Sequence, residues 1–437
     1  MARKRERRVP ADLNRDRHRT EPADPEERRR RTTASDRQLD RKLIVIFFSS
    51  LVLLPIFSLL VYRNIHAPQT TDKVLSVYER SLVKPNVNYQ EILAEHSTFL
   101  ENTSHRHYSY PVLAYITPWN SRGYELAKRF ISKITHVSPV WYDLKSEGTK
   151  LVLEGRHNAD KGWMSELRMN GHALVLPRFV LEAFPQEFLR KKKQRDKAID
   201  LIVTECREMG YDGIVIESWS RWAAYGVLHD PGMRTQALQF IKQLGDALHA
   251  VTSERKPEHH LQLVFVIGPP HSSNLQAHDF GPKDLQTLSS TVDGFSLMTY
   301  DFSGPQNPGP NAPLKWIRST LQMLLHTTGS DPSVAYKILL GINFYGNDFM
   351  LSKGGGGGAI IGKEYLSLLE KQKPVLQWEE NSAEHVFVYF DEKKVKHAVF
   401  YPSLMSISKR LEEARKWGVG ISIWEIGQGL DYFLDLL

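Results

Sequence analysis

Cysteine is all but missing from this chain: 437 residues hold a single thiol, Cys206. One thiol excludes an internal disulfide framework and any multi-thiolate metal site. Cys206 falls on a helix-like stretch and reads as a core residue. Basic excess is missing as well, once its position is counted. The formal charge is +7, yet residues 1–42 hold 15 Lys/Arg against 9 Asp/Glu, and the other 395 hold 42 against 41. A nucleic-acid-binding domain concentrates positive charge on its own surface, because phosphate contacts dominate such affinity. No nucleic-acid partner is expected for the folded part. A GxGxxG after the first strand-like run is also lacking, which weighs against an open dinucleotide-binding sheet. What is present is globular composition, 41% hydrophobic and 10% aromatic, and this excludes wholesale disorder.

The charged leader ends at Arg41-Lys42, and no charge follows from Leu43 to Tyr62. Twenty apolar residues make about 30 Å of helix, enough to cross a bilayer. Pro55 is tolerable there, since neighbouring groups satisfy the backbone it frees. A cleaved signal peptide has a short leader and an apolar core of roughly 7–15 residues, so an uncleaved signal-anchor is expected. Arg37, Arg41 and Lys42 precede the span, whereas only Arg63 and Lys73 follow closely. The positive-inside rule then predicts a single-pass type II protein with a cytosolic N-terminus. The remainder is expected in a secretory-pathway or lysosomal lumen or outside the cell, with release as a soluble form as an alternative. Residues 1–42 read as a disordered basic tail, and 63–105 as a luminal stem. Asn102-Thr103-Ser104 is a glycosylation sequon.

From residue 106 onward, short apolar runs alternate with amphipathic stretches. The spacing predicts strands at Val112–Thr117, Ile134–Val140, Ala173–Leu176, Gly213–Ile216, Leu263–Ile267, Gly294–Met298, Ile338–Ile342 and Gly420–Trp424. Helices are expected over Phe188–Met209, Met233–Ala250, Leu314–His326 and Ile407–Trp417. Eight strand-then-helix units suit a (β/α)8 TIM barrel, an α/β fold. Chemistry in such a barrel gathers where strands end. Trp119 and Asn120, Trp141 to Asp143, Arg178 and Phe179, Glu217 to Trp219, Tyr300 and Asp301, Asn343 and Tyr345, and Trp424 and Glu425 all follow or close predicted strands. Aromatic faces stack on the apolar faces of sugar rings, so the set suits a carbohydrate cleft.

Three motifs lead nowhere. Residues 357–363 match GxxxxGK, but Glu364 replaces the Ser/Thr that would hold Mg²⁺; the stretch reads as a flexible glycine loop. Ser422 lacks the second glycine of a nucleophile elbow and reads as a strand residue. His259-His260 has no HExxH context and reads as exposed. No metal site and no cofactor are expected.

The blocks YITPWN (115–120), HVSPVWYDL (136–144), YDGIVIESW (211–219), GFSLMTYDF (294–302), LLGINFYG (339–346) and GVGISIWEIGQGLDYF (418–433) together resemble family 18 glycoside hydrolases over residues 106–437. The resemblance implies a TIM barrel, ligands built from N-acetylglucosamine, and a small α+β insertion at about 347–397. The family's active members carry DGxDxDxE. Aligned on Asp212-Gly213, its three acidic positions fall on Val215, Glu217 and Trp219, expected on one face toward the barrel mouth. In those members the last Glu protonates the glycosidic oxygen, and the substrate's own N-acetyl group attacks the anomeric carbon. Here that last position is Trp219, which has no proton to give.

Glu217 keeps a carboxylate but sits about 6.6 Å deeper along the strand, and is expected to pair with Arg178 or Tyr300. Met298, Tyr300 and Asp301 match the family's MxYD, which contacts the N-acetyl region. Trp424 matches the Trp that floors the cleavage subsite. Tyr115, Trp119, Glu217 and Trp219 complete the expected carbohydrate-binding set. The leading expectation is a chitinase-like, lectin-like binder of chitooligosaccharides or other N-acetylglucosamine glycans. The alternatives are an atypical hydrolase using Glu217 or Asp301, and a protein-interaction scaffold on a vestigial barrel.

Overall fold

Eight parallel strand positions close on themselves in this chain, described here as a computed structural model over residues 25–65, 74–100, 104–253, 259–270, 274–326, 332–352 and 354–437. The strands are β1 (Val112–Ile116), β2 (His136–Glu147), β3 (Lys150–Glu154), β4 (Leu174–Val175), β5 (Arg178–Leu181), β6 (Gly213–Glu217), β7 (Gln262–Ile267), β8 (Gly294–Leu297), β9 (Ile338–Asn343), β10 (Gly346–Met350), β11 (Gly357–Ile360), β12 (Gln377–Glu379), β13 (Glu384–Phe390), β14 (Lys396–Tyr401) and β15 (Gly420–Trp424). The barrel runs β1-β15-β9-β8-β7-β6-β5-β2, and β2 pairs with β1 to close it. All eight predicted strands are present. This is the expected (β/α)8 fold.

Two of them differ in form. The third is split by Pro177 into β4 and β5, both paired with β2. Proline cannot donate to a ladder, so the strand breaks where it stands. Arg178 and Phe179 therefore belong to a strand rather than to the loop after it. The second runs on past Val140 and folds back antiparallel as β3, with Glu147 opposite Lys150.

Helices cover the outside, among them Lys192–Met209, Pro231–His249, Leu314–His326 and Leu404–Trp417. Their ends are set locally. Asp230 accepts from the Gly232 and Met233 amides at 2.7 and 3.1 Å to start one helix, with Pro231 in its first turn, as N-terminal capping predicts. Gly418 at φ +67° stops another, a left-handed exit that costs glycine nothing. Gly213 opens β6 at φ +149°, and a Cβ there would meet the Gln262 carbonyl oxygen at 2.2 Å. Only glycine lets β6 and β7 approach so closely.

The insertion is a five-stranded antiparallel sheet ordered β11-β10-β14-β13-β12, with the helix Gly362–Gln372 beside it. It spans Gly346 to Tyr401, a few residues wider than the expected 347–397. The 357–363 stretch is not a loop: Gly357–Ile360 is β11, paired with β10. Glu364, out of place in a phosphate loop, accepts from the Ile361 amide at 2.8 Å and caps the helix.

Two further expectations shift. Val74–Leu100 is not a free stem. Val77, Leu82 and Ile92 are buried in the barrel's outer core, and the Leu100 amide donates to Asp435 at 2.9 Å. Residues 73–437 accordingly form one compact unit, and 1–72 another. In the second unit, Pro25–Ile65 is a single helix. Its 24-residue Leu39–Tyr62 part, whose most apolar 18-residue window has mean hydropathy 2.8, is long and apolar enough to cross a membrane. Pro25 to Lys42 is thus helical where disorder was expected, because a helix once nucleated propagates cheaply through good formers. Residues 1–24 and Asn102 lie outside the described residues.

Candidate functional site

Strand side chains alternate, so every second position faces the barrel interior. Leu113, Tyr115, Leu176, Val215, Val264, Val266 and Leu339 form an interior cluster, with Met298 and Trp424 packed against its upper side. Tyr115 donates at 2.8 Å to Ser296 Oγ, which donates to Ser422 Oγ at 3.1 Å. Burial pushes the Tyr115 phenol well up from its ordinary value, so it acts as a neutral donor. Its ring centroid lies 5.2 Å from that of Trp424. Ser422 is a strand residue, as expected.

Above this floor sits an ion pair. Arg178 on β5 registers with Val215 on β6, and laterally paired strand residues share a face. Arg178 therefore points inward, as Val215 does. Its Nε donates to Glu217 Oε2 at 2.7 Å, and its terminal nitrogen donates to the same oxygen. The guanidinium carbon also lies 5.0 Å from the Trp424 ring centroid, a cation–π contact worth about 0.5–2 kcal/mol. Of the two expected partners, Glu217 takes Arg178. Trp424 is linked to Glu425 by a cis peptide bond.

The rim beyond β8 carries Tyr300 and Asp301. Asp301 sits at φ +59°, a left-handed conformation that aspartate tolerates better than most residues. Its amide donates to Asn311 Oδ1 at 2.7 Å, and the Tyr345 hydroxyl donates to its carboxylate. The Asn311 amide in turn donates to Glu384 Oε2 at 3.0 Å, and Glu384 pairs with Arg410 at 3.0 Å in a buried bridge. The inserted sheet and the last long helix thereby hold the Asp301 loop. Surrounding protein raises the Asp301 carboxyl above its ordinary value, and the Tyr345 hydroxyl opposes the shift. Tyr300 packs edge-on to Tyr345 at 6.3 Å, and burial raises its phenol.

Tyr115, Glu217, Met298, Tyr300, Asp301 and Trp424 thus gather at one end of the barrel. Trp119 lies on the loop after β1 and is 75% exposed. Trp219 does not join them. β6 ends at Glu217, Ser218 leaves the extended path, and Trp219 starts the helix Trp219–Ala224. Alternation stops with the strand, so Trp219 turns outward and is only 2% exposed. Its indole N–H donates to the His278 carbonyl at 2.9 Å, and its ring packs on Phe280 at 5.3 Å, with Arg234 5.0 Å above it. It is an outer-core residue and fills no part of the barrel mouth.

The sequence reasoning missed the supporting groups. Asn311 and Glu384 carry no motif, and Glu384 lies far along the chain from the Asp301–Asn311 loop it holds. Glu425 was visible at a strand end but not its burial. It is fully enclosed, accepts from Asn120 at 2.7 Å, and leaves Oε1 without a hydrogen-bond partner among the described residues. Burial pushes its carboxyl up to about 7, against the pull of Asn120 and the Gly427 and Thr117 backbones. A group so enclosed cannot touch a ligand. Cys206, also buried, has its thiol pushed up by the same cause.

A closed (β/α)8 barrel with aromatic and acidic residues at its strand C-termini defines a TIM-barrel protein of the glycoside-hydrolase type. The family model for glycosyl hydrolases family 18 matches residues 112–429, and the chain belongs to that family. An uncharacterized glycosylase, YvbX, of Bacillus subtilis is 25% identical over 248 residues, 56% of this chain and 66% of that relative. The chain thus spans slightly under two thirds of its length. A chitinase from Chromobacterium violaceum superposes with TM-score 0.61 at 20% identity, over 75% of this chain and 98% of that one. A mutant family GH18 chitinase from Cycas revoluta, in complex with (GlcNAc)4, gives TM-score 0.60 at 14% identity over 74% and 97%. At these identities the two structures speak for the fold alone.

Proposed function

We propose that this chain is a membrane-anchored, chitinase-like protein that binds N-acetylglucosamine oligosaccharides in its barrel mouth without cleaving them. The observation that carries the reading is the end of β6. Glu217 is engaged by Arg178, and Trp219, where the family's proton donor falls, is turned into the outer core. A general acid must bring an O–H within about 3 Å of the glycosidic oxygen. Position 219 has none, and Glu217 lies deeper with its carboxylate occupied. What remains is a binding surface: Trp424, backed by the buried Tyr115, and the Tyr300–Asp301 rim. Apolar and aromatic walls with a few placed polar groups are what small-ligand sites use. Among fold neighbours, the Cycas revoluta chitinase holds (GlcNAc)4. Within the family, the strand-end motifs resemble those of chitinase domain-containing protein 1.

Titration of the full chain with chitotetraose, followed by tryptophan fluorescence and calorimetry, tests the reading. Binding is expected without release of reducing ends. Trp424→Ala should weaken it by about 30-fold or more, the loss typical of a central aromatic anchor. Silence in both chains would sink the idea.

A second reading is an atypical hydrolase, favoured by the raised Asp301 carboxyl at the open rim. Turnover of a glycan that disappears in Asp301→Asn would select it. For topology, we infer a type II arrangement with the barrel in a lumen or outside the cell. Charge before the Leu43–Tyr62 span supports it. A mass shift on enzymatic deglycosylation, lost in Asn102→Gln, checks the orientation.

A further inference from the structure

At the opposite end of the barrel, three side chains from three segments converge. His249 is the last residue of the helix Pro231–His249, His260 stands two positions before β7, and Asp293 immediately precedes β8. His249 Nε2 lies 2.9 Å from Asp293 Oδ2, and His260 Nε2 lies 3.3 Å from Asp293 Oδ1. The two imidazole centroids are 4.0 Å apart. One ligand atom from each residue falls within 4.8 Å of the other two. Among the described residues, no other three His, Cys, Asp or Glu side chains meet in this way.

We propose that His249, His260 and Asp293 form a site for a divalent transition-metal cation of the zinc class, with solvent in the remaining position. Two imidazoles and one carboxylate are a donor set for such ions. Calcium and magnesium take oxygen ligands instead. At metal–ligand bonds of about 2.0–2.1 Å, tetrahedral ligand atoms stand roughly 3.4 Å apart. The two His–Asp contacts run to different oxygens of the carboxylate. With one atom taken from each residue the three lie within 4.8 Å of one another, so side-chain shifts of about 1 Å bring them to tetrahedral spacing.

The frame around them is set. Asp293 Oδ2 accepts the Leu263 amide at 2.8 Å, and the Asp293 amide donates to the Leu263 carbonyl at 2.8 Å. These outer hydrogen bonds orient the carboxylate, as is usual for ligands. His249 is partly buried, while His260 is the exposed member and has room to adjust. The nearby His136 is not available, because its two ring nitrogens face Thr135 at 2.8 Å and Gln262 at 3.0 Å. A cation here would clip together both ends of the 249–260 connection and the start of β8. It would act on the closed face of the barrel, away from the sugar-facing mouth. No motif announced it, since the spacing 249, 260 and 293 matches no short pattern.

The full chain in detergent, stripped by a chelator, is titrated with Zn²⁺ by calorimetry and with Co²⁺ by visible absorption. One equivalent should bind with a ligand-field band, and Zn²⁺ but not Ca²⁺ should raise the melting midpoint. His260→Ala and His249→Gln should each weaken Zn²⁺ binding at least about tenfold, since even outer-shell losses cost that much. His260 is exposed, so its variant should keep the parent's far-ultraviolet circular dichroism. His105→Ala is the control, because His105 and His107 rings lie 4.3 Å apart elsewhere, and it should change nothing. Absence of binding overturns the proposal. So does binding that survives both His249 and His260 substitutions, or that disappears in His105→Ala.

Discussion

The guanidinium of Arg178 donates through Nε and a terminal nitrogen to one oxygen of Glu217, directly beside the Trp424 ring. Both side chains of the pair are mostly covered, at 14% and 18% exposure. The pair closes the interior floor and leaves the central carboxylate of the mouth acting as an acceptor. Removing one partner from a covered pair is costly, because the other charge stays behind. Arg178→Met should therefore destabilise the chain by about 2–3 kcal/mol, less than a fully buried pair would. Glu217→Gln keeps an acceptor but leaves the guanidinium charge uncompensated, so a similar loss is expected. Urea unfolding of both variants and of the double variant measures the coupling, and strictly additive losses would mean the pair is not coupled.

On the proposed reading, Trp219→Glu would restore the family's acid in the sequence but not in the mouth. The new carboxylate would land among Phe265, Phe280 and Trp222, beside an Arg234 that already pairs with Asp284. A loss of about 3–5 kcal/mol is expected from the missing ring alone, and no chitinase activity should appear. Thermal melting and a reducing-end assay on chitotetraose check both halves. Hydrolysis by this variant would show that position 219 reaches the mouth.

Glu425 makes stability depend on pH. Its carboxyl is raised from an ordinary 4.5 to about 7, so the folded chain binds this proton more tightly than the unfolded chain. The group costs nothing below the ordinary value. Stability then falls as pH rises from there through about 7, by roughly 3 kcal/mol at 1.36 kcal/mol per unit. Glu425→Gln should flatten that slope and raise stability at pH above 7. Chemical unfolding at several pH values measures it, and an unchanged slope would refute the assignment.

Glu384 links the inserted sheet to the Asp301 rim. It accepts the Asn311 and Ala312 amides at 3.0 and 2.7 Å and pairs with Arg410. Glu384→Gln turns one acceptor into a donor facing a donor, leaving buried groups unsatisfied. A loss of about 3 kcal/mol is expected, together with weaker chitotetraose binding, because Asn311 no longer fixes the Asp301 amide. Unimpaired binding in a folded variant would detach the insertion from the site.

Much of the barrel was legible in the sequence because its signals are local. Apolar runs at regular spacing marked all eight strands, alternation placed Val215 and Glu217 on inward positions, and the family resemblance supplied Tyr115, Met298 and Trp424. Alternation misled at Trp219, because it holds only while the strand lasts, and β6 ends two residues earlier. The GxxxxGK stretch misled for a related reason: glycines alone do not say whether a neighbouring strand is present to pair with, and β10 is. The stem reading failed because Val77 and Ile92 find apolar partners in residues hundreds of positions away.

The sequence by itself determined the barrel, the long apolar helix and the kinds of side chain at the strand ends, since periodicity and composition act over a few residues. Tertiary structure alone decided which of those side chains face one another. Arg178 meets Glu217 through the register of β5 with β6, and Asp301 is fixed through Asn311, which Glu384 of the insertion holds. His249, His260 and Asp293 converge where three separate segments enter the barrel. Those contacts depend on strand order and register, which no short window of sequence contains.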